Sequence, residues 1–285
     1  MLSRKMKRAH LLVVVAIMFA FLPAIAQERL EERVPTGFVE DGKAISLEII
    51  IFKPTGAGPF PTVMFNHGST GSGADPSRWG RTTTSESIAQ FFNERGWLVA
   101  FPQRRGRGKS DGLYDEGFGL DRSRYSCSPP LSLPGLEHAL EDVDAVVEYL
   151  KARVDVDSER MLLGGVSRGG ILSIVHAGTR PDHFNGVINF VGGWIGEGCP
   201  DPEAINTVSF RRGAEFQKPT LWLYGENDSF YSMEHSRKNF EAFIDAGGQG
   251  TFHSYSLGPG ENGHGLVGRP DLWEEVLASF VEQMP

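Results

Sequence analysis

Two pentapeptides in this chain share the pattern Gly-x-Ser-x-Gly: GKSDG at residues 108–112 and GVSRG at 165–169. A serine so framed can act as a nucleophile when it sits on a sharp strand-to-helix turn that exposes its hydroxyl. With 35 glycines in 285 residues the pattern alone carries little weight, and the flanks must decide. Ser110 follows the charged run RRGRGK and precedes DGLYDEGFG, which offers no helix. Ser167 follows the apolar run RMLLGGV and precedes GGILSIVHAG, whose small and apolar residues suit a tightly packed helix. Ser167 is the expected nucleophile.

A serine hydroxyl is a weak nucleophile at neutral pH, so it needs a histidine base and an acid that orients the base. Downstream of Ser167, the segment GENDSF presents Glu226 and Asp228, and GPGENGHGLVG presents His264 among glycines. Either carboxylate can fill the acid position, and Asp228 is preferred. Six of the other seven histidines fall in the leader (His10), in helical patterns (His138, His176, His235), before a strand (His183) or within one (His253), and His67 precedes Gly68 and Ser69 in the run NHGSTGSG. Attack on a carbonyl also creates an oxyanion that needs N–H donors. The backbone of Arg168, at the start of a helix, is one candidate; the other is Ser69, in the run NHGSTGSG after an apolar segment.

These residues must be positioned by a scaffold, and the chain outlines one. Short apolar runs at 47–52, 62–66, 97–101, 160–166, 186–193, 219–225 and 251–257 read as strands. Several are apolar at consecutive positions, as strands covered on both faces are. Between them, residues 85–96, 135–154, 169–178, 233–248 and 271–284 read as helices. The alternation predicts an α/β fold, a mostly parallel central sheet with helices on both faces, in a single domain over residues 27–285. Longer connections at 67–84, 102–134 and 194–218 gather at the carboxyl edge of such a sheet, where ligands bind.

Taken in order, NHGSTG, RRGRGKSDG, GGVSRGG, GENDS and NGHG resemble the α/β-hydrolase superfamily, particularly its dienelactone hydrolase-like branch and the related prolyl-oligopeptidase-type esterases and peptidases. The resemblance spans most of the chain and implies a hydrolase with the triad order Ser167, Asp228, His264 and no cofactor. It also implies that RGRGKSDG is the glycine-rich loop after the fourth strand. Dienelactone hydrolases proper carry a cysteine nucleophile where this chain has Ser167. The expected activity is cleavage of a small-molecule carboxylic ester. A peptidase or amidase using the same triad, and a non-catalytic binding protein retaining the fold, are the alternatives.

Residues 1–26 read as a signal peptide: Arg4, Lys5, Lys7 and Arg8, then an apolar stretch, then Ala24-Ile25-Ala26 as a cleavage signature. The expected protein is exported, periplasmic or extracellular, with no stable membrane association after cleavage. Losing four basic residues and no acidic ones takes the formal charge from −8 to −12, a surface that repels nucleic acid. The basic run at 104–109 is read as a structural loop rather than a nucleic-acid contact. Export permits a disulfide between Cys127 and Cys199, the other reading being two unpaired thiols. Neither cysteine has a second Cys or a His at zinc-ligand spacing, so no metal is expected. Trp79, Tyr114, Trp194 and Phe230, with Phe118, Tyr125 and Tyr231, fall in or beside the rim connections. They either line an apolar substrate pocket or pack the loops down. Arg168 places a cation at a helix N-terminus, which is electrostatically unfavourable. It therefore needs a nearby acid or an anionic substrate group.

Overall fold

A computed structural model describes residues 28–284. The expected leader, 1–26, lies outside the described residues. Eight strands form one sheet in the order β1-β2-β4-β3-β5-β6-β7-β8. They are β1 (Glu28–Glu40), β2 (Lys43–Lys53), β3 (Phe60–Asn66), β4 (Leu98–Pro102), β5 (Val156–Val166), β6 (Gly186–Phe190), β7 (Thr220–Gly225) and β8 (Gly250–Tyr255). The β1–β2 and β2–β4 pairings are antiparallel; every later pairing is parallel.

The inner strands are buried along nearly their whole length. In β4, β6 and β7 every residue is buried. Both faces must therefore be covered, and six helices cover them: α1 (Glu86–Asn93), α2 (Pro129–Lys151), α3 (Arg168–Thr179), α4 (Asn206–Arg212), α5 (Met233–Asp245) and α6 (Pro270–Glu282). Helices α1 and α6 meet through the Phe91 and Trp273 rings, 5.7 Å apart. Helices α2 to α5 pack in succession on the opposite face. Among the described residues no helix is long and apolar enough to cross a membrane.

Three elements differ from expectation. Strand β1 was not foreseen, because ERLEERVPTGFVE is rich in charge and contains both Pro35 and Gly37. Its alternate residues face solvent, and its backbone is satisfied by antiparallel pairing to β2 as the edge of the sheet. The connection at 194–218 contains α4, and α2 begins at Pro129 rather than 135. Proline is tolerated in the first helical turn, where its missing N–H would have no partner.

Candidate active site

The connection from β5 to α3 is an elbow one residue long, and Ser167 occupies it with φ 57° and ψ −122°. Such a conformation costs a non-glycine residue about 1–3 kcal/mol and persists only where the surroundings impose it. Here the Ser167 N–H donates to Phe190 O at 2.9 Å, while its carbonyl accepts from Gly170 N at 2.9 Å and Gly193 N at 3.2 Å. The flanking glycines make the turn possible. A Cβ at Gly165 would run into the Gly169 backbone, and one at Gly169 into the carbonyl of Asn66. The other Gly-x-Ser-x-Gly serine is bound into the fold: Ser110 Oγ donates to Gln103 O at 2.6 Å and accepts from Glu48 N at 2.8 Å.

The loop after β3 lies directly over the elbow. A Cβ added at Gly68 would stand 3.1 Å from Ser167 Cβ and 3.7 Å from its Oγ. Ser69 and Arg168 thus border the same cavity as Ser167, and among the described residues no hydrogen bond engages the backbone N–H of either. Beneath this loop His67 is buried. Desolvation, reinforced by the Arg104 and Arg107 charges, drives its pKa well below the ordinary value, so the ring is neutral. Its Nδ1 contacts Gly68 O at 2.7 Å, and its Nε2 accepts from the Arg104 N–H at 3.3 Å.

On the other side of the elbow, the loops after β7 and β8 bring Asp228 and His264 together. His264 Nδ1 lies 2.8 Å from Asp228 Oδ2, and the Asp228 side chain is fully buried. The second Asp228 oxygen accepts from the backbone of Phe230 at 2.7 Å and Tyr231 at 3.2 Å. Asn262 Oδ1 binds the backbones of both loops, accepting from Ser229 N and His264 N at 3.0 Å each. Glu226, the alternative acid, is exposed, and among the described residues no hydrogen bond or ion pair joins it to His264. Among the described residues no hydrogen bond joins Ser167 Oγ to His264. Tyr231, which is buried, borders the same cavity as Ser167.

A cavity of about 360 Å³ opens above Ser167, bordered by Tyr125, Trp194, Ile195, Phe230 and Tyr231. Of the expected substrate residues, Trp194 and Phe230 border it; Trp79 and Tyr114 do not. Those two rings lie 5.4 Å apart and pack, with Phe118 and Tyr125, into a cluster that anchors the connection after β4. Tyr114 packs between Trp79 and Phe118, and its hydroxyl donates to Glu116 Oε2 at 3.2 Å, so it holds the wall. Cys127 and Cys199 form a disulfide with a Cα–Cα distance of 5.4 Å, and both residues border the cavity. No local feature of the chain marks the bridge as bordering the cavity; that depends on two distant loops converging.

The basic run at 104–109 turns inward. Arg104 Nε donates to Glu116 at 2.6 Å and Arg105 Nε to Asp142 at 2.6 Å, all four groups being buried. Arg168 resolves its position at the head of α3 through the same carboxylate, 3.4 Å from Glu116 Oε2. Its guanidinium also donates to Trp194 O at 2.7 Å and Glu116 O at 2.7 Å, and lies over the Tyr125 ring at 3.6 Å. Burial alone would raise the Glu116 pKa, but the charges of Arg104 and Arg168 outweigh it and hold the carboxyl at about 2. Among the described residues no group of three or more His, Cys, Asp or Glu is placed to hold a metal ion.

Residues 75–271 match the model of the dienelactone hydrolase family. The chain belongs to that family. No curated protein matched the sequence. Solved structures share the fold at low identity. A dienelactone hydrolase candidate from Klebsiella pneumoniae is 18% identical with a TM-score of 0.60, over 90% of this chain and 99% of its own. An esterase from Pyrococcus furiosus is 16% identical with a TM-score of 0.61, over 91% of each chain. An acylaminoacyl peptidase from Pyrococcus horikoshii is 16% identical with a TM-score of 0.60, over 90% of this chain and 42% of its own. This family member is a hydrolase with the α/β-hydrolase fold.

Proposed function

We propose that the protein is an exported serine carboxylesterase acting through Ser167, His264 and Asp228. The observation that carries this reading is the strained elbow of Ser167, which opens onto a cavity, together with the His264 ring held by the buried Asp228 carboxylate. Asp228 accepts from Nδ1–H and so leaves His264 Nε2 unprotonated, the tautomer a general base requires. His264 takes the Ser167 proton as Oγ attacks the ester carbonyl, and Asp228 stabilises the imidazolium. The N–H groups of Ser69 and Arg168 receive the oxyanion. His264 then protonates the departing alcohol, and a water activated by the same ring releases the acid and restores Ser167.

The cavity walls favour an apolar or aromatic acyl group, since Tyr125, Trp194, Ile195 and Phe230 border it. The disulfide fits an oxidising compartment, which supports export. Fluorophosphonate labelling of residues 27–285, followed by peptide mass mapping, tests the assignment without a guess at substrate. A single adduct on Ser167 is expected. Folded protein that takes up no label, or takes it up on Ser110, overturns the reading.

A further inference from the structure

Tyr125 borders the cavity, while its hydroxyl binds the loop after β3. That loop carries the Ser69 N–H between two glycines: Gly68 offers no side chain as an anchor, and Gly71 holds φ 80°. Such a segment does not keep an N–H in one direction by itself. Two peptide planes meet at Ser69. The first is held through Gly68 O, which lies 2.7 Å from His67 Nδ1. The second is held from outside the loop: the Thr70 N–H donates to the Tyr125 hydroxyl oxygen at 3.3 Å, and Thr70 Oγ1 lies 2.9 Å from the same atom. The Tyr125 backbone N–H donates to Ser72 O at 2.9 Å, so one residue ties down the loop at two points.

The direction of these bonds follows from the far end of the chain they form. Glu116, ionised between Arg104 and Arg168, can only accept, so the Tyr114 hydroxyl donates to it at 3.2 Å. With that proton committed, the Tyr114 oxygen accepts from Tyr125. The Tyr125 proton is then committed too, and its oxygen is left to accept from both Thr70 donors. We propose that Tyr125 is a positioning residue of the oxyanion site, its hydroxyl holding the Thr70 peptide so that the adjacent Ser69 N–H stays aimed at the developing charge. This inference rests on the serine hydrolase reading and its oxyanion donors. Peptide planes are rigid, so only the φ and ψ of Ser69 separate the pinned plane from that N–H. The ring of Tyr125 bears on the other donor's residue, since the Arg168 guanidinium lies 3.6 Å from its centroid. One side chain therefore spans the two segments whose N–H groups receive the charge. Tyr125 acts through Thr70 and Ser69 rather than on the reacting atoms.

Tyr125→Phe keeps the ring and removes the hydroxyl. With p-nitrophenyl acetate, kcat is expected to fall about 10- to 100-fold, short of the ~10²- to 10³-fold that losing an oxyanion donor outright can cost. KM is expected to change less than about twofold, because the charge that Ser69 meets exists only in the transition state. A trifluoromethyl ketone, which adds to Ser167 and places an oxyanion in the same position, should lose affinity by the same factor as kcat. A merely structural role would lower the melting temperature without separating kcat from KM, and a role in contacting substrate would raise KM. Either of those results, or a kcat within about threefold of wild type, overturns the proposal and leaves the esterase reading intact. Wild-type protein that takes no fluorophosphonate label at Ser167 defeats the esterase reading itself. Should Tyr125→Phe not fold, Thr70→Val decides instead, since it keeps the shape and removes one of the two bonds to Tyr125. Its kcat is expected to fall about 3- to 10-fold with KM unchanged, and an unchanged kcat overturns the proposal.

Discussion

At the floor of the cavity, Ser167 is held by backbone. Its N–H donates to Phe190 of β6 and its carbonyl accepts from Gly170 and Gly193, and Gly165, Gly169 and Gly68 let three chain segments meet almost without side chains between them. The wall above it, formed by the connections after β4 and β6, is held by side chains. There the Cys127–Cys199 bridge, the Arg104–Glu116–Arg168 cluster and the Trp79, Tyr114, Phe118 and Tyr125 rings provide the links. Backbone packing has one solution and little give, whereas side-chain links can be cut one at a time. In the proposed function the chemistry belongs to the floor, and the choice of what is bound belongs to the wall. Perturbing each should change different observables.

The largest effect is expected at the floor. Ser167→Ala should lower kcat at least about 10⁴-fold with the melting temperature nearly unchanged, checked by ester turnover and calorimetry together. Retained turnover would mean that the floor does not carry the nucleophile. Gly169→Ala should be worse for the fold than for any single contact, because its Cβ collides with the Asn66 carbonyl. Low soluble yield, or a melting temperature depressed well beyond that of an ordinary Gly→Ala change, is expected. A stable, active variant would show that the elbow can yield.

Cutting the wall should cost stability first. Glu116→Gln leaves Arg104 and Arg168 as buried cations with no carboxylate, and removing one partner of a buried pair costs about 3–5 kcal/mol. Denaturant titration measures this. The same carboxyl predicts an acid limit. Its folded pKa is about 2 against an ordinary 4.5, so its contribution is complete above pH 4.5 and is lost as pH falls toward 2. That amounts to about 3 kcal/mol of stability, and the loss should vanish in Glu116→Gln. The gentlest cut is reduction of the bridge, which spans 72 residues of sequence. About 4 kcal/mol of stability should go in the chain-entropy account. In protein that remains folded, KM should rise several-fold while fluorophosphonate labelling of Ser167 continues. A collapse of labelling instead would show that wall and floor are coupled.

The same contrast explains how much could be read in advance. Ser167 was legible because its signal is local: an apolar run, a pentapeptide with two glycines, and a helix of small residues. His264 and Asp228 were legible because each follows a recognisable strand. Strand β1 was not, since an edge strand with one solvated face mixes charge with apolar residues and carries Pro35. Helix α4 was missed because seven residues give too little periodicity to register. The aromatic residues of the connections divided between cavity and packing with no difference in local sequence. Trp194 and Phe230 face the cavity, while Trp79 and Tyr114 face each other.

By itself the sequence determined strands β2 to β8, helices α1, α2, α3, α5 and α6, and the elbow at Ser167, because each depends on neighbours within a few residues. Tertiary structure alone decided that Glu116 would neutralise both Arg104 and Arg168, that the Cys127–Cys199 bridge would border the cavity, and that Tyr231 would border it as well. Those outcomes depend on where separate loops converge at the carboxyl edge of the sheet, and convergence is fixed by long-range packing that no stretch of the chain records alone.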